Sequence, residues 1–236
     1  MPGIFVTGTG TDVGKSVVTA GLLRSLRLRG RDAAVMKPFQ TGCSRDQNGE
    51  WIVPDLEFAL EVSGWQPDAS ARRDLCVYAY EPACSPHLAA RMAGEEPRVE
   101  AVVDAAHRVS LAHELVIAEG AGGILVPVNE QETMLDVMKA LAWPVLLVSR
   151  SGLGTINDTL LSVAMLRAAG LECLGVVFCD SQPTEHDFIY EDNPKAIAQF
   201  GNVEVLGRVP YLGEPLELTR LTQSLSRAAD ACADTA

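Results

Sequence analysis

Short apolar runs rich in Val, Ile and Leu alternate along the chain with longer segments in which apolar residues return every three or four positions. Continuous apolar runs suit strands covered on both faces, and the longer period suits crossover helices. The pattern therefore predicts an α/β fold, a doubly wound and mostly parallel sheet with helices on both faces. The expected strands are residues 4–7, 33–37, 115–119, 145–149 and 174–178, with 203–209 as the last. Val18, Leu22 and Leu26 stripe the helix after the first strand, and Ile156, Leu160 and Val163 stripe the helix after Ser149. Residues 38–57 are polar and broken by Gly42, Gly49 and Pro54, which predicts a long loop leading into a helix near Leu56. The Ala-rich end, 218–236, reads as one terminal helix that frays. No repeat or linker interrupts the pattern, so a single domain spanning 1–236 is expected.

Composition narrows the partners. With 47% hydrophobic and 21% charged residues the chain is folded and globular rather than disordered. Lys+Arg 19 against Asp+Glu 31 leaves 19 − 31 = −12, which argues against nucleic acid or an anionic membrane as the main partner. Six cysteines without a CxxC pair fit a reducing cytoplasm. The residues before Ile4 are too short and uncharged for a signal peptide, and no apolar run approaches the roughly 20 residues of a membrane span.

The strongest chemical signal is Gly8-Thr9-Gly10-Thr11-Asp12-Val13-Gly14-Lys15-Ser16, between the first strand and the first helix. A phosphate-binding loop needs glycines so that backbone N–H groups converge on phosphate oxygens. It also needs a lysine for the β/γ-phosphates and a hydroxyl for Mg²⁺, roles that fit Lys15 and Ser16. The leading glycine sits one residue further back than in GxxxxGK[ST], so the loop is a longer variant. In parallel sheets the ligands lie beyond the carboxyl ends of the strands, which singles out three further places. Lys37 ends the second strand, with Thr41 close behind. Glu119 ends the third and precedes Gly120, Ala121, Gly122 and Gly123, where a metal-holding carboxylate is expected. Asp55 follows Pro54 and could be a further oxygen ligand or a plain helix cap.

Taken in order, these segments resemble the dethiobiotin synthetase family. The Glu81-Pro82-Ala83-Cys84-Ser85-Pro86-His87 stretch is the most specific piece, and Gly152-Leu153-Gly154-Thr155-Ile156-Asn157 extends the likeness across most of the chain. The resemblance implies an ATP- and Mg²⁺-dependent cyclo-ligase that closes a ureido ring on 7,8-diaminononanoate with CO₂. Lys15 and Lys37 would then stabilise the moving phosphoryl group, and Ser16, Asp55 and Glu119 would hold Mg²⁺. Asp12, Val13, Gly14, Lys15 and Ser16 would wrap the triphosphate, with Gly120, Ala121 and Gly122 beside it, and Thr41 would meet the diamine or its carbamate. Gly152, Leu153, Gly154, Thr155 and Asn157 would receive the substrate's distal carboxylate from across a homodimer interface. Pro210, Tyr211 and Leu212 resemble a segment beside the base and ribose. Ser85 and His87 are accounted for by a turn that opens the next helix.

One position departs from the family pattern. An Asn-Asp pair that reads adenine is expected after the strand at 174–178, and this chain has Cys179-Asp180. A thiol cannot make the bidentate contact of an amide, so relaxed nucleotide choice is expected. The main rival is a switch ATPase of the partition, cell-division or nitrogenase-iron-protein kind. Those families place a lysine four residues before the loop's second glycine, where this chain has Gly10. A cobyrinate-type amidotransferase would need a glutaminase domain that 236 residues cannot hold beside this one.

Overall fold

A computed structural model describes residues 3–183 and 187–235. Six parallel strands form the central sheet in the order β10-β9-β8-β1-β7-β2. In chain order the sheet and its crossovers run β1 (Gly3–Gly8), α1 (Lys15–Leu28) and β2 (Ala33–Met36), followed by the insertion described below. They continue through α5 (Val99–Ala112), β7 (Leu115–Gly123), α6 (Met134–Leu141), β8 (Val145–Ser149), α7 (Thr155–Ala168), β9 (Cys173–Cys179), α8 (Phe188–Gly201) and β10 (Val205–Val209). Every residue of β1, β2 and β8 is buried, as a parallel sheet covered on both faces requires. Val18, Leu22 and Leu26 are fully buried, so α1 seats on the sheet through its predicted stripe; of the α7 stripe Val163 is buried, and Ile156 and Leu160 are half-buried.

The insertion between β2 and α5 corrects the expected loop. It contains β3 (Phe39–Thr41), β4 (Ser44–Arg45), β5 (Trp51–Ile52), α2 (Pro54–Ser63), α3 (Ala69–Leu75), β6 (Tyr78–Tyr80) and α4 (Pro86–Ala93). β3 pairs parallel with β6, and β4 with β5 antiparallel. Pro38 turns the chain out of the main sheet, and the Phe39 ring stacks on Tyr78 with centroids 5.1 Å apart. Strands of two or three residues are too short to show an apolar alternation.

β1, β2 and β9 differ from expectation by one residue at one end or both, and three differences are larger. β7 runs through Gly120 to Gly123, so these glycines are strand rather than loop, with Gly123 paired to Gly8 of the phosphate loop. The last strand begins at Val205, not residue 203. The C-terminal segment forms two helices, α9 (Leu218–Ser224) and α10 (Ser226–Ala233), divided at Leu225. Leu221, Leu225, Ala228, Ala229 and Cys232 are fully buried, which docks the pair against α1 instead of leaving it to fray.

Candidate functional site

The carboxyl ends of β1, β2 and β7 open onto a cavity of about 770 Å³. Of the residues singled out by sequence, Asp12, Gly14, Lys15, Ser16, Lys37, Thr41, Asp55, Glu119, Ala121 and Gly122 line it together. The chain reaches this geometry through backbone that few residues adopt. Asp12 lies in the left-handed region at φ 57° and Gly14 at φ 92°, and a Cβ on Gly14 would fall 2.4 Å from the Cys179 sulfur. Val13 is buried beneath the loop, and the Lys15 ammonium folds back to donate to the Gly10 carbonyl at 2.7 Å.

At the cavity floor Lys37 binds two carboxylates at once. Its Nζ lies 2.6 Å from Asp55 Oδ2 and 2.7 Å from Glu119 Oε1, and it donates to the Gly120 carbonyl at 3.1 Å. Ser16 Oγ donates to the same Glu119 oxygen at 2.8 Å. The elements make this meeting possible. β2 ends at Met36 and delivers Lys37, Pro54 starts α2 and places Asp55 in its first turn, and β7 carries Glu119. Lys37 and Glu119 are only 4% and 2% exposed, so the charges face one another in a poorly solvated place.

The electrostatics follow from burial and these pairings. Burial works against the Lys37 charge, but Glu119 and Asp55 outweigh it and hold the ammonium above its ordinary value. Burial likewise opposes ionisation of Asp55, yet Lys37 keeps its carboxyl below the usual range. For Lys15 the balance is reversed: burial first, then repulsion from Lys37, outweighs the attraction of Glu119, Asp55 and Asp12 and pulls it down to about 8. An oxygen-only set of two carboxylates and a hydroxyl, beside a place where phosphate oxygens would lie, suits a hard divalent cation. Lys37 supplies positive charge between the two carboxylates.

Other predicted residues lie apart from this cavity. The Cys179 thiol is buried under Gly14, and burial followed by Asp180 pushes it up to about 12. Asp180 is buried at the next position, its backbone N–H bonded to the Val209 carbonyl, which puts Pro210, Tyr211 and Leu212 beside it at the end of β10. Gly152, Leu153, Gly154 and Asn157 are exposed, Leu153 at 83%, and none lines the cavity of the same chain. Thr155 is sealed inside: its hydroxyl donates to the Arg150 carbonyl at 2.5 Å and lies 2.8 Å from Ser149 Oγ. Ser149 in turn reaches the half-buried Thr9 of the phosphate loop at 3.3 Å, joining two loops through a chain of hydroxyls.

Cavity residues that sequence reasoning did not assign are Thr11, Val17, Phe39, Gln40, Val126 and Ser181. Ser85 sits at the N-cap of α4, as the turn reading expects, but its side chain makes no cap bond and faces the cavity with Ala83, Cys84 and Pro86. Thr11 could have been found from its place inside the loop. Gln40 and Ser181 carry no local signal and become neighbours only through folding.

The comparisons with known proteins agree with this geometry. A family model described as an AAA domain matches residues 2–216. The ATP-dependent dethiobiotin synthetase BioD of Anaeromyxobacter sp. (strain Fw109-5) is 38% identical over 224 residues, covering 95% of this chain and 96% of that protein. The BioD of Bacillus subtilis (strain 168) is 34% identical over 223 residues, 94% of this chain and 92% of its own. Among solved structures, the cell division ATPase MinD of Pyrococcus furiosus aligns with a TM-score of 0.58 at 17% identity over the whole of both chains, a likeness of fold alone. On the identity and coverage of these relatives, the chain belongs to the ATP-dependent dethiobiotin synthetase family.

Proposed function

We propose that this protein closes the ureido ring of dethiobiotin from 7,8-diaminononanoate, CO₂ and ATP. The observation that carries the reading is Lys37, a buried lysine placed between Asp55, Glu119 and the phosphate-loop Ser16. The chemistry needs positive charge there in successive steps. One amine adds to CO₂ and loses a proton, giving a carbamate. The carbamate oxygen then takes the terminal phosphoryl group, and ADP leaves. The second amine attacks the resulting carbamic-phosphoric anhydride, and inorganic phosphate and a second proton depart. Each step gathers charge on oxygen, where a pre-placed ammonium is most effective.

Asp12, Val13, Gly14, Lys15 and Ser16 would wrap the triphosphate, flanked by Gly120, Ala121 and Gly122, with Lys15 reaching its terminal phosphates. Ser16, Asp55 and Glu119 would hold Mg²⁺, which supplies charge neutralisation of the phosphate oxygens when bound. Thr41 would orient the diamine or its carbamate. Asp180, Pro210, Tyr211 and Leu212 would stand near the base and ribose. The exposed Gly152, Leu153, Gly154 and Asn157 would bind the distal carboxylate of a substrate held by a second subunit, so the working form is a homodimer. Thr155, sealed within α7, would support that loop rather than touch the substrate. The absence of any helix long and apolar enough to cross a membrane among the described residues is compatible with a cytoplasmic enzyme.

The test is ADP release from Mg-ATP with and without 7,8-diaminononanoate and bicarbonate. Strong dependence on the diamine is expected, whereas diamine-independent turnover would place the protein with the switch ATPases. Light scattering at assay concentration checks the shared site: an active monomer would overturn it.

A further inference from the structure

We propose that Gln40 is a substrate-contacting residue whose side-chain carbonyl accepts an N–H from one amine of the diamine and orients that nitrogen beside Lys37. The assignment rests on the ligase reading above and adds a contact to it.

Gln40 lies on β3, lines the cavity between Phe39 and Thr41, and is only 8% exposed. The direction of its amide is set by its neighbours. Nε2 donates to the Thr41 carbonyl at 3.0 Å, and the same side chain is among the donors that help lower Asp55. That leaves Oε1 as the free end, buried and without a hydrogen-bond partner among the described residues. Folded proteins seldom leave such an acceptor uncompensated, and because Gln40 lines the cavity while Oε1 itself has almost no accessible surface, a donor brought by the ligand meets it through a small rotation of the amide.

The neighbouring groups restrict what that donor can be. Lys15 and Lys37 donate to the Gly10 carbonyl and to Asp55 and Glu119, and neither bonds to Oε1. Triphosphate and carboxylate oxygens have no proton to give. An amine does, as an ammonium or in its neutral form, and the neutral form has the lone pair for attack on carbon. An amide carbonyl is too weak a base to remove a proton, so Gln40 holds the nitrogen without deprotonating it.

The experiment compares wild type with Gln40→Met, close in length and without polar atoms, and with Gln40→Ala as a second variant. Binding of 7,8-diaminononanoate to protein loaded with Mg²⁺ and a non-hydrolysable ATP analogue is measured by calorimetry, alongside KM for diamine and for ATP. The two monoamine analogues, each lacking one amine, are measured in parallel. Diamine affinity should fall about tenfold, with affinity for the ATP analogue unchanged, which also shows the variants are folded. The loss should vanish for the monoamine that lacks the held nitrogen. An unchanged diamine affinity, an equal loss for the diamine and both monoamines, or a loss confined to ATP would overturn the assignment, the last pointing to a ribose hydroxyl. Absence of diamine-dependent turnover in wild type would overturn the ligase reading itself.

Discussion

Lys37 carries two tasks that mutation should separate. Replacing it with Met leaves Asp55 and Glu119 facing each other without a counter-charge, and loss of one partner from a buried ion pair costs about 3–5 kcal/mol. The melting temperature of Lys37→Met should therefore drop, and millimolar Mg²⁺ should restore part of the drop by taking over the two carboxylates. Turnover should stay low with Mg²⁺ present, because an oxyanion-type contact worth about 2.7–4 kcal/mol is gone. Calorimetric scans with and without Mg²⁺, beside turnover, check both halves. Lys15 predicts a pH dependence. Its value is about 8 in the ligand-free protein, and a bound triphosphate favours the charged form and raises it. Where the free lysine is neutral, binding must take up a proton. Nucleotide affinity should thus be full below about pH 8 and fall by up to about tenfold per pH unit above it. Titrating an ATP analogue in buffers of differing ionisation enthalpy reads the proton uptake directly.

At the scale of elements, helix α8 governs a loop it does not belong to. The Asn193 amide, buried within α8, donates to the carbonyls of Ser151 at 2.9 Å and Gly152 at 3.3 Å. Asn193→Ala should raise KM for the diamine several-fold with KM for ATP unchanged, as expected for the loss of about 1 kcal/mol of hydrogen bonding to a loop that only the diamine's carboxylate would meet. Equal changes in both constants would mean the whole fold has loosened. The junction of β9 with the phosphate loop bears on nucleotide choice. Cys179 lacks the amide that would read adenine, so ATP should be preferred over CTP or GTP by less than about a hundredfold in kcat/KM. Because its sulfur packs under Gly14, Cys179→Asn should also weaken binding of every triphosphate by overpacking the loop, about 1–3 kcal/mol. The main sheet was legible because its strands are continuous apolar runs, and the phosphate loop because its glycines and Lys15-Ser16 lie together in sequence. The β3–β6 pair, the division at Leu225 and the cavity roles of Gln40 and Ser181 were not, since each depends on segments far apart in the chain or on too few residues to set a period.

For the molecule as a whole, the pairing at the cavity floor has a kinetic consequence. Lys15 and Lys37 are outnumbered by Asp12, Asp55 and Glu119, so the charges lining the pocket sum to 2 − 3 = −1 and it offers an incoming nucleotide little long-range attraction. The remaining field is that of a chain with a formal charge of −12, and it points against an anionic visitor. Capture of Mg-ATP should be slow at low ionic strength and should quicken as salt is raised from about 0.01 to 0.15 M, when the screening length shrinks from roughly 30 Å to 8 Å. Stopped-flow association rates with a fluorescent ATP analogue measure this, and a rate that falls with salt would reveal a local positive field. Selectivity for the nucleotide would then reside in its residence time, set by contacts formed after arrival. An enzyme built this way responds to the cell's supply of ATP through occupancy, and its first encounter is left to unassisted diffusion.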